Sequence, residues 1–156
     1  MKKLAVFVLV VMLFTLFVNT ALAARQVSVQ APNEYVDAIA KAISKKGAEV
    51  TQSIGRAGTV VKVNVVEIKT RSNFNWWFLL CGLWPIVPIT RTTADATVDV
   101  TVMEGSRTIY NQQASESVKG QFFFGDIYHI SDDRVDELKA EAIEEAVLKA
   151  LRNYSF

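Results

Sequence analysis

The sequence predicts an α+β two-layer sandwich: an antiparallel-rich sheet of four to five strands with two helices, in the order β-α-β-β-β-β-α. Three observations carry that expectation. Two segments, one near each end of the domain, repeat apolar residues at helical spacing. Between them, several segments alternate apolar and polar residues as half-buried strands do. The helical segments stand apart from the run of strands, which is the arrangement of helices laid on one face of a sheet.

The first 23 of the 156 residues are expected to lie outside this fold. Lys2 and Lys3 open the chain, an apolar run from Leu4 to about Val18 follows, and Ala21-Leu22-Ala23 ends it in small residues. That is the pattern of a bacterial secretory signal peptide, with cleavage expected after Ala23; retention as an anchor is the alternative. Residues 24–156 then read as a single α+β domain with an apolar insertion at 74–90. About 130 residues can bury roughly two-thirds of their unfolded surface. The one cysteine, Cys81, allows no intrachain disulfide and is expected to be buried in the apolar run. No cysteine stands at the expected cleavage point, so lipid attachment there is not expected. The whole chain has 17 basic and 16 acidic residues; without Lys2 and Lys3 the balance is 15 to 16. Near-neutrality removes the simplest electrostatic case for nucleic acid as a partner.

Each element follows from its residues. Val27 and Val29 alternate with polar neighbours in a short first strand. Asn33 is the expected N-cap of a helix, with Glu34 and Asp37 at its positive end, Lys45 and Lys46 in its last turn and Gly47 as its stop. Tyr35, Val36, Ile39, Ala40 and Ile43 mark its apolar face. A short strand follows at residues 48–53, then a glycine-bearing turn, then the strand "TVVKVNVVEIKT". Its apolar phase runs through Val61, Val63 and Val65 and then shifts to Val66 and Ile68, which signals a bulge or a second buried face. Beyond the insertion, Ala94, Ala96, Val98, Val100 and Val102 face one way and Asp95, Thr97, Asp99 and Thr101 the other. Glu104-Gly105-Ser106 is a tight turn into the partner strand "RTIYNQQASESVKG". Ser131 is the expected cap of the closing helix, whose stripe is Val135, Leu138, Ala142, Ile143, Ala146, Val147, Ala150 and Leu151. Glu144 is expected to lie off that stripe, exposed and tolerant of change to Ala.

The early helix "YVDAIAKAISKKGAEV", the strand "VVKVNVVEI", the pair "ADATVDVTVMEGSRTIYNQQASESVKG" and the closing "ELKAEAIEEAVLKAL" together resemble a family of small bacterial envelope domains. Its fold is shared by the curli-secretion assembly lipoprotein and the N-terminal domain of the Tol-Pal translocation protein. The resemblance covers most of the chain after residue 23. It implies an envelope location, a non-enzymatic role and assembly with partners. The chain departs from those relatives in lacking their lipidated cysteine.

Motifs of chemistry are few. His129 is the single histidine, with Asp126, Asp132 and Asp133 nearby; a histidine metal site needs several convergent ligands, so no metal and no cofactor are expected. Asp95 and Asp99 alternate as a solvated strand face requires. Gly55-Arg56-Ala57-Gly58 has the spacing of a nucleic-acid-binding loop but joins two strands rather than two helices, so its glycines are expected to serve a turn. No nucleophile elbow, P-loop or zinc-protease sequence occurs, and no enzymatic activity is expected. Phe122, Phe123, Phe124 and Tyr128 either cap the core or line a ligand cleft.

The run Trp76 to Ile89, "WWFLLCGLWPIVPI", has 14 residues, whereas a spanning helix needs about 20. Pro85 and Pro88 break a helix and Gly82 weakens one. Three readings stand: a buried hairpin or helical turn, a loop that dips into a membrane surface, and a contact with an envelope protein or a second copy in a homo-oligomer. Indole rings prefer the headgroup zone, and Arg71 and Arg91 flank the run where lipid phosphates would lie. The contact residues expected on either docking reading are Trp76, Trp77, Phe78, Leu79, Leu80, Leu83, Trp84 and Ile86. The leading expectation is thus a non-enzymatic protein secreted into the periplasm that docks through this loop. The alternative is a carrier of a small apolar or lipid-like ligand. The first expectation to test is export: intact-mass measurement should find a chain that begins at Ala24, and a retained Met1 would remove the periplasmic reading.

Overall fold

A computed structural model of the chain describes residues 25–51, 58–80, 87–123 and 132–156, with the backbone but not the side chains of Phe78, Leu80 and Asp132. In order come β1 (Gln26–Gln30), a 3-10 turn (Asn33–Tyr35), the first helix (Val36–Lys45), β2 (Glu49–Thr51) and β3 (Thr59–Phe74). A single helical turn (Trp77–Leu80), β4 (Thr90–Glu104), β5 (Arg107–Phe122) and the closing helix (Asp132–Ala150) complete the chain. The order is the β-α-β-β-β-β-α that the patterning predicts. The expected signal segment lies outside the described residues, as do Cys81, His129 and all of the Gly55–Gly58 stretch but Gly58.

The five strands form one mixed sheet in the spatial order β2-β1-β3-β4-β5. β1 pairs in parallel with both β2 and β3, and the first helix makes the crossover that a parallel pair requires. β3, β4 and β5 form an antiparallel meander with 15 paired positions on each side of β4. Gly105 takes φ +59 in the two-residue turn between β4 and β5, where a side chain would be strained. The phase shift in β3 is a bulge: Val65 pairs with Val98 and Glu67 with Thr97, which leaves Val66 unpaired and exposed.

Both helices cover one face. Ala94, Ala96, Val98, Val100 and Val102 of β4 are buried beneath the closing helix, whose Ala142, Ile143, Ala146, Val147 and Ala150 are buried in return. The close approach is visible at Gly120, where a Cβ would come within 2.5 Å of Leu138 Cδ1. Lys149 donates to Ser115 O and to Glu116 Oε2, and the Tyr110 hydroxyl donates to Ala150 O at 2.6 Å, so polar contacts fix the helix along β5.

Two local expectations change. Asn33 makes no cap hydrogen bond; after Pro32 the chain closes a 3-10 turn in which the Tyr35 amide bonds Pro32 O, and the helix proper starts at Val36. Its fully buried residues are Ile39, Ala42 and Ile43, so the stripe turns toward Ala42 and leaves Ala40 half-buried. Gly47 ends it with φ +87, as expected.

Glu144 is the larger correction. It is 5% exposed and sits where the two helices meet. Lys41 Nζ lies 2.9 Å from its Oε2 and Lys45 Nζ 2.5 Å from its Oε1. Helical spacing places Glu144 beside the stripe; only the arrival of the first helix buries it. Burial would raise its pKa, but the hydrogen bonds and charges of Lys45 and Lys41 outweigh burial and hold the carboxyl below its ordinary value. The hydrogen bond to Glu144 correspondingly raises Lys45.

A lowered carboxyl pKa gives stability that is present above the unfolded carboxyl value and fades as pH falls through the folded one; the raised Lys45 gives stability that fades only as pH rises through the lysine range. Glu144→Ala should therefore destabilise at neutral pH by about 1–2 kcal/mol, the lower part of the range for charged hydrogen bonds because both ammonium groups remain half in water. Glu144→Gln should flatten the acid limb of the stability profile. The exposed Glu145→Ala should change stability by no more than about 0.5 kcal/mol. Ile143→Ala should cost about 2–4 kcal/mol. Denaturant melts across pH check all four, and an acid limb unchanged in Glu144→Gln would contradict the assignment.

Candidate functional site

The chain's apolar insertion becomes the tip of the β3–β4 hairpin. Both strands run further into it than patterning indicates: β3 continues to Phe74 and β4 begins at Thr90. β1 accompanies β3 only from Thr59 to Lys62. Beyond the bulge, from Glu67 to Phe74, only Ile68 is even half-buried. The outer half of β3 is thus a solvated strand on both faces, and it carries an apolar tip.

At that tip Trp76 is 70% exposed, Trp77 69%, Leu79 59% and Phe74 45%. Phe74 and Trp76 meet edge to face with ring centroids 5.1 Å apart. Isolated exposed apolar residues are ordinary, but four within six positions form a patch. Its base is ordered. The Asn75 amide donates to Ile89 O at 2.7 Å, the Asn75 side chain donates to Pro88 O at 2.9 Å, and its Oδ1 accepts from the Trp77 amide at 3.3 Å. The Ile89 amide in turn donates to Phe122 O at 2.8 Å, which ties the tip to β5. Asn75 is the positioning residue that patterning does not reveal; a lone asparagine ahead of two tryptophans is the only signal it leaves.

Of the expected contact residues, Trp76, Trp77 and Leu79 share this exposed patch. The side chains of Phe78 and Leu80, and all of Leu83, Trp84 and Ile86, lie outside the described residues. Of the expected cleft residues, Phe122 is 3% exposed with Arg134 6.0 Å above its ring, and Phe123 is half-buried; Phe124 and Tyr128 lie outside the described residues. A cavity of about 270 Å³ adjoins Phe122, but Lys119, Arg134, Glu137 and Glu141 line it too, so its walls are charged. A groove of about 410 Å³ between the helices is lined by Asp37, Lys41, Lys45, Glu141 and Glu144 and is likewise charged. Among the described residues, no helix is long and apolar enough to cross a membrane.

No family model and no curated protein sequence matches the chain. Solved structures similar to it include bacterial lipoproteins. One is a minor lipoprotein from Acinetobacter baumannii, at a TM-score of 0.49 and 12% identity, over 84% of this chain and 90% of that one. Another is the rare lipoprotein B from Shewanella oneidensis, at 0.42 and 10%, over 82% and 94%. A third is an uncharacterized lipoprotein B from Nitrosomonas europaea, at 0.40 and 9%, over 85% and 90%. None of these three is a curli-secretion or Tol-Pal protein.

Asn75→Ala removes both side-chain bonds at the tip base. Hydrogen exchange should then speed at the Trp77 and Leu79 amides while the β4 amides stay protected. Uniform protection across tip and sheet would show that Asn75 does not hold the tip.

Proposed function

We propose that the chain is a non-enzymatic bacterial envelope protein that docks on a membrane surface through the tip of the β3–β4 hairpin. The observation that carries this reading is the exposure of Phe74, Trp76, Trp77 and Leu79 on an ordered base, apart from the buried core under the helices. Indole rings favour the membrane–water interface, where the ring is apolar and its N–H remains solvated. The patch is also too short to span a bilayer, which suits an interfacial contact. The carrier reading has less support, because Phe122 is core and the cavity beside it has charged walls.

The test is a Trp76→Ser, Trp77→Ser, Leu79→Ser triple variant. These side chains contribute little to the core, so the variant should melt close to the parent. Full burial of each such side chain contributes about 1.5–3 kcal/mol, so vesicle binding should be lost. Co-sedimentation with phospholipid vesicles reads the second outcome. A variant that unfolds, beside a parent that never binds vesicles, would make the run ordinary core. A parent that ignores vesicles but self-associates through the tip would replace the membrane with a second copy.

A further inference from the structure

We propose that the helix-free face of the sheet, directly behind the tip, is a site for phosphate-bearing lipid headgroups, with Arg91 and Lys119 as its charged contacts. This deepens the docking reading and rests on it: it specifies an anionic phospholipid surface as the one on which the tip settles.

Strand register places the residues. Phe74, Thr90 and Phe122 form the row nearest the tip; Asn73, Arg91 and Gln121 are partners in the row behind it, and Arg71, Thr93 and Lys119 in the row two positions farther on. Alternate residues share a face, and Thr92 and Ala94 are buried on the helix side, so the Arg91 and Lys119 rows project from the opposite face. There a cavity of about 320 Å³ is lined by Asn73, Arg91, Thr93, Lys119 and Gln121, with no carboxylate among its walls. Nearby cations are already engaged: Lys69 lies 2.5 Å from Glu67, and Arg71 3.7 Å from Asp95. Arg91 and Lys119 have no ion-pair partner among the described residues, and both are exposed. Two cations without a salt bridge, beside amide and hydroxyl donors, are the chemistry that receives a phosphate, the guanidinium through paired N–H groups; Lys119 also borders the cavity that holds Glu137 and Glu141.

The exposed apolar tip adjoining the Arg91 row favours a lipid over a free anion. Rows two residues apart are separated by about 7 Å along a strand. The headgroup zone is roughly 5–7 Å deep on each side of a bilayer. With Trp76 at the acyl boundary, the Arg91 row lies three residues up the strand, about 10 Å away at most, where a long guanidinium side chain reaches the headgroups, and the Lys119 row lies about 7 Å farther out, on their solvent side.

The experiment compares the protein as recovered from expressing cells with Arg91→Gln/Lys119→Gln and Arg91→Lys/Lys119→Arg. Each is titrated with vesicles of phosphatidylcholine alone and of phosphatidylcholine mixed with phosphatidylglycerol, at low and raised NaCl; circular dichroism melts verify folding. The parent should prefer the anionic vesicles and lose that preference in salt. The Gln pair should lose about fivefold in anionic binding per residue removed, about thirtyfold together, with neutral binding unchanged, and the Lys/Arg exchange should retain the preference. A parent that binds both vesicles equally, or a Gln pair that keeps the full preference, overturns the headgroup site and leaves the docking reading standing. A parent that binds neither vesicle overturns both. Inorganic phosphate that displaces the parent from anionic vesicles, where the same ionic strength of NaCl does not, assigns the site to free anions and overturns the lipid assignment.

Discussion

β4 is hydrogen-bonded along both edges and buried on one face only, and the other elements take their places from that one-sided burial. Its helix-side residues grade from Ala94 and Ala96 near the hairpin tip to Val98, Val100 and Val102 at the other end. Where the strand is small, a bulky helix residue can come close, and Leu138 settles over Gly120. Where it is branched, the helix presents Ala146, Val147 and Ala150. Pleat period and close packing leave little freedom in register, since a shift of one residue would turn the valines to water and the aspartates to the core. After Ala150 the chain continues to pack, with Leu151 buried and the Tyr154 ring between those of Tyr110, tilted to it, and Phe156, edge to face, with centroids about 5 Å apart.

The first helix depends on the closing one. Ile39, Ala42 and Ile43 bury against the sheet and against the helix beside them. At that junction a carboxylate is held by two lysines one helical turn apart, an arrangement that only two adjacent helices can make. A buried carboxylate is tolerated because both oxygens meet a cation whose own hydration is largely kept. The ion pairs therefore orient the first helix more than they strengthen the core.

Support is withdrawn from β3 at its bulge. From Thr59 to Lys62 the strand has β1 on one side, and up to Val65 its inward residues are buried or half-buried; from Glu67 its paired neighbour among the described residues is β4 alone. An isolated strand edge invites pairing with other chains, and Glu67, Lys69 and Arg71 on this stretch discourage it. The same stretch carries the aromatic tip outward and sets basic rows immediately behind it. Apolar and cationic groups thus follow one another along a single hairpin in the order in which acyl chains and phosphates follow one another in a bilayer.

Periodicity and turn chemistry along the chain specify the two-layer class, the order of elements, the one-sided burial of β4, the Gly105 turn and the bulge near Val66, because each follows from a period of two or 3.6 residues or from the φ a glycine permits. The sequence also singled out the tryptophans, since an apolar run interrupted by prolines is anomalous in any fold. Local periodicity says nothing of what arrives from elsewhere in the chain. So Glu144 reads as a surface residue until the first helix covers it, and Asn33 reads as a cap until Pro32 draws the backbone into a 3-10 turn. Arg91 and Lys119 are 28 positions apart in sequence, and only the β4–β5 register brings them to one cavity. Asn75 matters only because Pro88 and Ile89 return beside it. Each of these was decided by tertiary structure for the same reason: burial, ion pairing and hydrogen bonding are set by neighbours in space, and pattern along a chain reports neighbours only within a turn or a strand.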